Sequence, residues 1–115
     1  MSDLPAPPQI DATTARQLAG DGALLLDVRE PVEWQAGHAP DAVHIPLGDL
    51  GARLEELPRD AQIVAVCRAG HRSNQAAIAL RGAGLDVVNL VGGMQAWAAA
   101  GHDVVTDDGG AGQVI

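Results

Sequence analysis

An α/β domain built on a central sheet is the fold class this sequence predicts. Three short apolar runs, at 23–28, 62–66 and 87–91, are rich in Leu, Val and Ile. Such continuous runs suit strands buried on both faces, which parallel sheets produce. Stretches with helical spacing alternate with them, and strand–helix alternation is the α/β pattern. The chain has 115 residues, the size of one ordinary domain.

From the N-terminus, residues 1–9 carry three prolines and little pattern, and they read as a flexible leader. Ile10 begins a short edge strand. Asp11 is placed to cap a helix over 12–19, which Gly20, Asp21 and Gly22 end. The run at 23–28 is broken only by Asp27. Glu30-Pro31 starts a short helix, because the missing N–H of Pro31 costs nothing in a first turn, and that helix stops near Gly37. A turn at 38–41 leads into a short strand at Val43, His44 and Ile45, closed by Pro46. Leu47, Leu50, Leu54 and Leu57 have three-and-four spacing, which predicts a helix over 47–57 with one buried face. The strand at 62–66 ends at Cys67, and a helix over about 72–81 follows, with Ala76, Ala77 and Leu80 on one side. Gly82 and Gly84 stop it. After the strand at 87–91, Gly92-Gly93 turns the chain into a helix over 94–100, ended by Gly101. The domain is therefore expected over 10–103, and the polar, Gly-rich stretch 104–115 reads as a flexible tail.

Composition excludes several function classes. Apolar residues make up 47% of the chain, too many for a disordered one. Two Trp stand with no Tyr and no Phe, so Ala, Val, Leu and Ile must pack the core. The net charge is -8, from fifteen acids against seven Arg and no Lys, which argues against nucleic-acid and anionic-membrane binding. No apolar run reaches the roughly 18 residues of a membrane span. The start, MSDLPAPP, lacks the pattern of a signal peptide, so a cytoplasmic location is expected. With one cysteine, an internal disulfide and a site of several thiolates are both excluded within the chain.

That cysteine opens the segment with the most chemistry, Cys67-Arg68-Ala69-Gly70-His71-Arg72-Ser73, between a buried strand and a helix. Open α/β sheets bind ligands at the carboxyl ends of their strands. A free thiol has a pKa of about 8.5, lowered by helix N-termini and neighbouring cations. Arg68 and Arg72 are permanent cations. The next helix directs unpaired N–H groups into the loop, and Gly70 lets the backbone curl around an anion. The result is a bowl of donors suited to a thiolate or to a persulfide. Blander readings stand beside this one: Cys67 as an inert buried thiol, Arg68 as a solvated surface residue, and Arg72 paired with Asp27 or another strand-end acid. On the same footing, His71 is exposed and tunes only the local field, and Ser73 bonds backbone groups at the helix start.

In these residues the chain resembles a rhodanese domain, of the sulfurtransferase family, from about Ile10 to Gly101. Four stretches carry the resemblance. They are Leu26-Asp27-Val28-Arg29-Glu30 with Glu33 and Trp34, the segment 37–46 (GHAPDAVHIP), the loop 67–73, and Leu90-Val91-Gly92-Gly93-Met94-Gln95-Ala96-Trp97 with Gly101. The resemblance implies a central parallel sheet flanked by helices and a cysteine that takes sulfur from thiosulfate or a similar donor. It implies Cys67 as nucleophile and 67–72 as the six-residue active-site loop, with Arg68 and Arg72 facing the anionic donor or holding the loop. Asp27 and Arg29 match the strand-end pair near that loop, and Ala69, Gly70, His71 and Ser73 complete the binding or supporting set. Gly93 and Trp97 match structural positions. Ala39, Asp41 and His44 depart from the more typical Ile, Gly and Asn, in a turn where they bear on surface shape. Related phosphatases carry a loop one residue longer, with Arg six positions after Cys. Arg72 comes five after Cys67 and position 73 is Ser, which counts against phosphatase and arsenate-reductase readings.

The expected reaction is covalent and stepwise. Cys67 takes sulfur from a small anionic donor and passes it to an external thiol, a protein acceptor or cyanide, since the chain holds no second cysteine to receive it. No metal or organic cofactor is implied, and a monomer is expected. A sulfur carrier or protein-binding module without turnover is the alternative from a different class.

Overall fold

The computed structural model describes residues 6–115. Five strands form one sheet in the order β1-β5-β4-β2-β3: β1 Gln9–Ile10, β2 Leu24–Asp27, β3 Val43–His44, β4 Ile63–Val66 and β5 Val87–Leu90. Every pairing is parallel. Among the described residues, α1 Ala12–Gly20, α2 Pro31–Ala36 and α3 His71–Gly82 link successive strands, and α4 Gly93–Ala99 follows β5.

The side-chain period of two divides the core. Ile63, Ala65 and Cys67 face a cluster that contains Ala76, Ala77 and Leu80 of α3. Val64 and Val66 face the opposite cluster, which contains Ala12 and Ala15 of α1 and Met94 and Trp97 of α4. All four β4 residues are buried, as a central strand covered on both faces requires. At the start of α1, Asp11 caps by accepting from the Thr14 N–H at 2.8 Å. Glu30 and Glu33 form a capping box at the start of α2, with Pro31 in its first turn.

The helix expected over 47–57 does not form. Two short 3₁₀ turns, Leu47–Asp49 and Leu54–Glu56, take its place. Gly48 and Gly51 interrupt the segment where a continuous helix needs good formers. Leu50 and Leu57 are nevertheless buried against the α3 side of the sheet, with Leu47 and Leu54 packed beside them. The apolar spacing reports burial correctly here and helix incorrectly.

Both ends have more contact with the rest of the fold than their composition suggests. The leader expected at 1–9 lies partly outside the described residues, at 1–5. Pro7 is buried, the Pro8 carbonyl accepts from the Asn89 N–H at 2.9 Å, and Gln9 already belongs to β1. The stretch expected as a flexible tail carries backbone hydrogen bonds. Val105 exchanges them with His38 at 2.8 and 2.9 Å, and the Gln113 N–H donates to the Ala36 carbonyl at 2.8 Å. His38 Nε2 meets Asp107 Oδ1 at 2.9 Å, and the His38 ring stacks on Trp34. Among the described residues, no helix is long and apolar enough to cross a membrane.

Candidate active site

Cys67 follows β4 directly, so its position is set by the most buried strand of the sheet. The chain then turns through 68–70 into α3, with Gly70 at the helix cap in the left-handed region at φ 106°. A side chain at Gly70 would meet the Gly92 nitrogen at 3.2 Å as well as the unfavourable φ. The turn folds the loop back over the sulfur. The Gly70 N–H donates to Cys67 Sγ at 3.1 Å, and Ser73 Oγ lies 3.2 Å from the same atom.

Burial pushes the Cys67 thiol up. The Ser73 hydroxyl and the N–H groups of Ser73, Gly70 and Ala69 together outweigh that and hold it below the ordinary thiol value. The blander reading of an inert buried thiol fits poorly with donors converging on the sulfur. Cys67 is only 1% exposed, so bulk water does not compete for its lone pairs.

A second element fixes the loop from behind. The Met94 N–H donates to the Cys67 carbonyl at 2.7 Å, and the Gln95 N–H to the Arg68 carbonyl at 3.1 Å. These are free N–H groups of the first turn of α4. The approach is possible because position 93 is glycine: a Cβ there would stand 2.3 Å from the Cys67 carbonyl oxygen.

The two loop arginines do different things. Arg72 Nη1 and Nη2 donate to Glu33 Oε1 and Oε2 of α2 at 2.6 and 2.9 Å, a fork-to-carboxylate pair that holds Glu33 below the usual carboxylate range. The partner is therefore Glu33 and not Asp27. Asp27 pairs with Arg29, whose Nε and Nη2 reach both carboxylate oxygens at 2.8–3.1 Å. Both residues are fully buried, and Arg29 Nη2 also donates to the Gly37 carbonyl at 2.8 Å. Among the described residues, the side-chain hydrogen bonds of Asp27 and Arg29 run to each other and to Gly37 rather than into 67–72. Arg68 is exposed and donates from Nε to the main-chain oxygen of Ile115 at 3.0 Å. Gln95, with its amide oxygen turned toward Arg68, accepts from both terminal nitrogens at 3.1 Å. His71 is exposed at the start of α3, and Ala69 is half-buried.

The sequence reading left Glu33 without a role, although it lies in one of the diagnostic stretches. It missed Asn89 altogether. Asn89 is 2% exposed and bonds Ser73, Gly70 and Gln9. The available signal was an amide inside the apolar run 87–91, since buried polar side chains require partners. A groove of about 190 Å³ beside the loop is lined by residues that include Gln9, His71, Asn74 and Val91. A larger cavity of about 370 Å³, between α1, Pro40, Asp41 and Trp97, is lined by no residue of 67–73. Among the described residues, no group of three or more His, Cys, Asp or Glu could hold a metal ion.

Comparison with known proteins identifies the family of the chain as a whole. A family model described as "Rhodanese-like domain" matches residues 11–100. A sulfurtransferase of Allochromatium vinosum is 38% identical over 104 residues, 88% of this chain and 97% of that protein. A thiosulfate sulfurtransferase of Pseudomonas syringae pv. syringae is 36% identical over 90 residues, 77% of this chain and 85% of that protein. Among solved structures, a rhodanese-related protein from Thermoplasma volcanium superposes with a TM-score of 0.81 at 33% identity, covering 85% of this chain and 97% of that one.

Proposed function

The chain belongs to the rhodanese-like domain family, and from that membership we propose that it moves sulfane sulfur from thiosulfate or a similar donor through a persulfide on Cys67. The observation that carries the reading is the sulfur itself, at the carboxyl end of β4, 3.1 Å from the Gly70 N–H in a loop of donors. A thiolate so placed attacks the outer sulfur of thiosulfate. The new S–S bond forms as the S–S bond of the donor breaks, and its electron pair leaves with sulfite. One negative charge stays on the terminal sulfur, so no proton need move. The N–H groups of the loop and the α3 start then stabilise the persulfide anion. In the second step an external thiol, a protein acceptor or cyanide attacks that outer sulfur and restores the thiolate.

Arg68, exposed at the mouth of the loop, is the cation that meets the donor dianion. Arg72, bound to Glu33, holds the loop in shape. Asp27 and Arg29 support the strand ends beneath it. A cytoplasmic, reducing setting suits a lone thiol that must remain free between turnovers.

The test is intact mass of the reduced protein after brief exposure to thiosulfate, with Cys67→Ser as control. The expected result is one added sulfur atom on the wild type only, removed by cyanide with release of thiocyanate. An unmodified wild type without thiocyanate would sink thiosulfate as donor. The same assay with a protein persulfide would then decide whether Cys67 is loaded by a partner.

A further inference from the structure

Counting hydrogens in the buried network behind the loop gives each contact a direction. Gln9 Nε2 lies 3.1 Å from the Pro7 carbonyl oxygen, which can only accept, so this nitrogen end of Gln9 is fixed and its Oε1 faces inward as an acceptor. Asn89 Nδ2 meets that Oε1 at 2.7 Å and the Gly70 carbonyl at 3.2 Å, two acceptors that fix the Asn89 amide as well. Asn89 Oδ1 therefore faces Ser73 Oγ, 2.7 Å away, and can only accept. The hydrogen between them must belong to Ser73, and a hydroxyl has only one. The 3.2 Å contact between Ser73 Oγ and Cys67 Sγ is then filled from the sulfur side, by S–H.

This arrangement satisfies every group while Cys67 is a thiol. Once the thiol ionises, Ser73 faces two acceptors with one hydrogen. It either keeps Asn89 and turns lone pairs toward the sulfur, or serves the sulfur and leaves a buried carbonyl unpaired. We propose that Asn89 is a positioning residue that competes with Cys67 for the Ser73 hydroxyl hydrogen, holding it in the resting thiol and releasing it to the sulfur anion. The inference deepens the reading of Cys67 as the nucleophile and rests on it. Asn89 touches no reacting atom and acts through Ser73.

The experiment is the pH dependence of Cys67 alkylation by iodoacetamide, which reports one site because the chain has one cysteine. Alkylation needs no sulfur donor, so its outcome is independent of the thiosulfate test above. Asn89→Leu removes the competing acceptor at similar volume, and Asn89→Ala is the second variant should the first not fold by circular dichroism. The expected result is a titration midpoint about half to one pH unit below that of the wild type, the scale of one redirected hydrogen bond to an anion. In a Ser73→Ala background the same substitution is expected to leave the midpoint unmoved. A midpoint that stays or rises in the single variant overturns the proposal. So does a shift that persists without Ser73, which would assign Asn89 a merely structural role at the Gly70 carbonyl. In the wild type, the NMR resonance of the Asn89 carboxamide carbon is expected to titrate with Cys67, because its oxygen loses a donor. A resonance flat through that midpoint counts equally against it.

Discussion

Glu33 and Arg72 join α2 to the start of α3, beside the Cys67 loop, with two parallel bonds, and the pair is screened unequally. The Arg72 side chain is 35% exposed and that of Glu33 14%. Solvent access limits such a pair to about 1 kcal/mol, though its fork geometry places it above the average surface ion pair. Its pH dependence has a definite sign. Arg72 holds the Glu33 carboxyl below its ordinary value of 4.5, so the folded state binds that proton less readily than the unfolded state does. The contribution is fully present above that value and is lost as pH falls through the lower folded one. Glu33→Gln is therefore expected to lower stability by about 1 kcal/mol at neutral pH and to converge on the wild type in acid. Urea unfolding of both proteins from neutral pH to about pH 3 checks this. A constant gap across the range would mean that packing, and not charge, is what the substitution removes.

α4 shows how an element that contributes no reacting group shapes the site. Its first turn donates to the Cys67 and Arg68 carbonyls, and Gly93, at φ 56°, is what lets it come so close. A Cβ at 93 would also stand 2.7 Å from the Arg68 carbonyl, and neither contact is the flexible end of a side chain. Gly93→Ala combines overpacking with a left-handed backbone and is expected to cost about 2–4 kcal/mol. Sulfur loading should fall as well, in whatever fraction stays folded, because the loop is displaced. Thermal unfolding followed by the mass assay separates the two effects, and a Gly93→Ala variant as stable as wild type would refute the close approach. The same element marks the limit of what the sequence reveals. The central strands were legible because 23–28, 62–66 and 87–91 are largely apolar on both faces, and Cys67 stood out as a candidate because its neighbours are chemically unusual. Glycines at 92 and 93 announced a turn, but not the backbone carbonyls it would press against. The leucine spacing at 47–57 reported burial without separating a helix from two 3₁₀ turns. The contacts of the 104–115 stretch were hidden because they are largely main-chain bonds, which composition does not encode. Asn89 was overlooked because its importance comes from Ser73 and Gly70, which are brought to it only by folding.

Across the whole molecule the charge balance opposes the substrate that the site is proposed to use. The chain carries -8 at neutral pH, and thiosulfate is a dianion. Of the arginines near the loop, Arg72 is neutralised by Glu33 and Arg29 by Asp27. At most Arg68 is left to offset the acidic remainder within reach of the entrance. Long-range repulsion should then set the approach, and salt should weaken it, since the screening length falls from about 30 Å at 0.01 M to about 8 Å at 0.15 M. The loading rate with thiosulfate is expected to rise about two- to five-fold over that range. Iodoacetamide is neutral, so its rate with Cys67 should not change, and it serves as the control for any effect of salt on the loop itself. A thiosulfate rate that falls with salt would mean that Arg68 and the loop N–H groups dominate the field the donor meets. A rising rate would favour acceptance of sulfur from a protein partner, whose own basic surface could complement the acidic exterior and bring its donor to the one thiol buried beneath it.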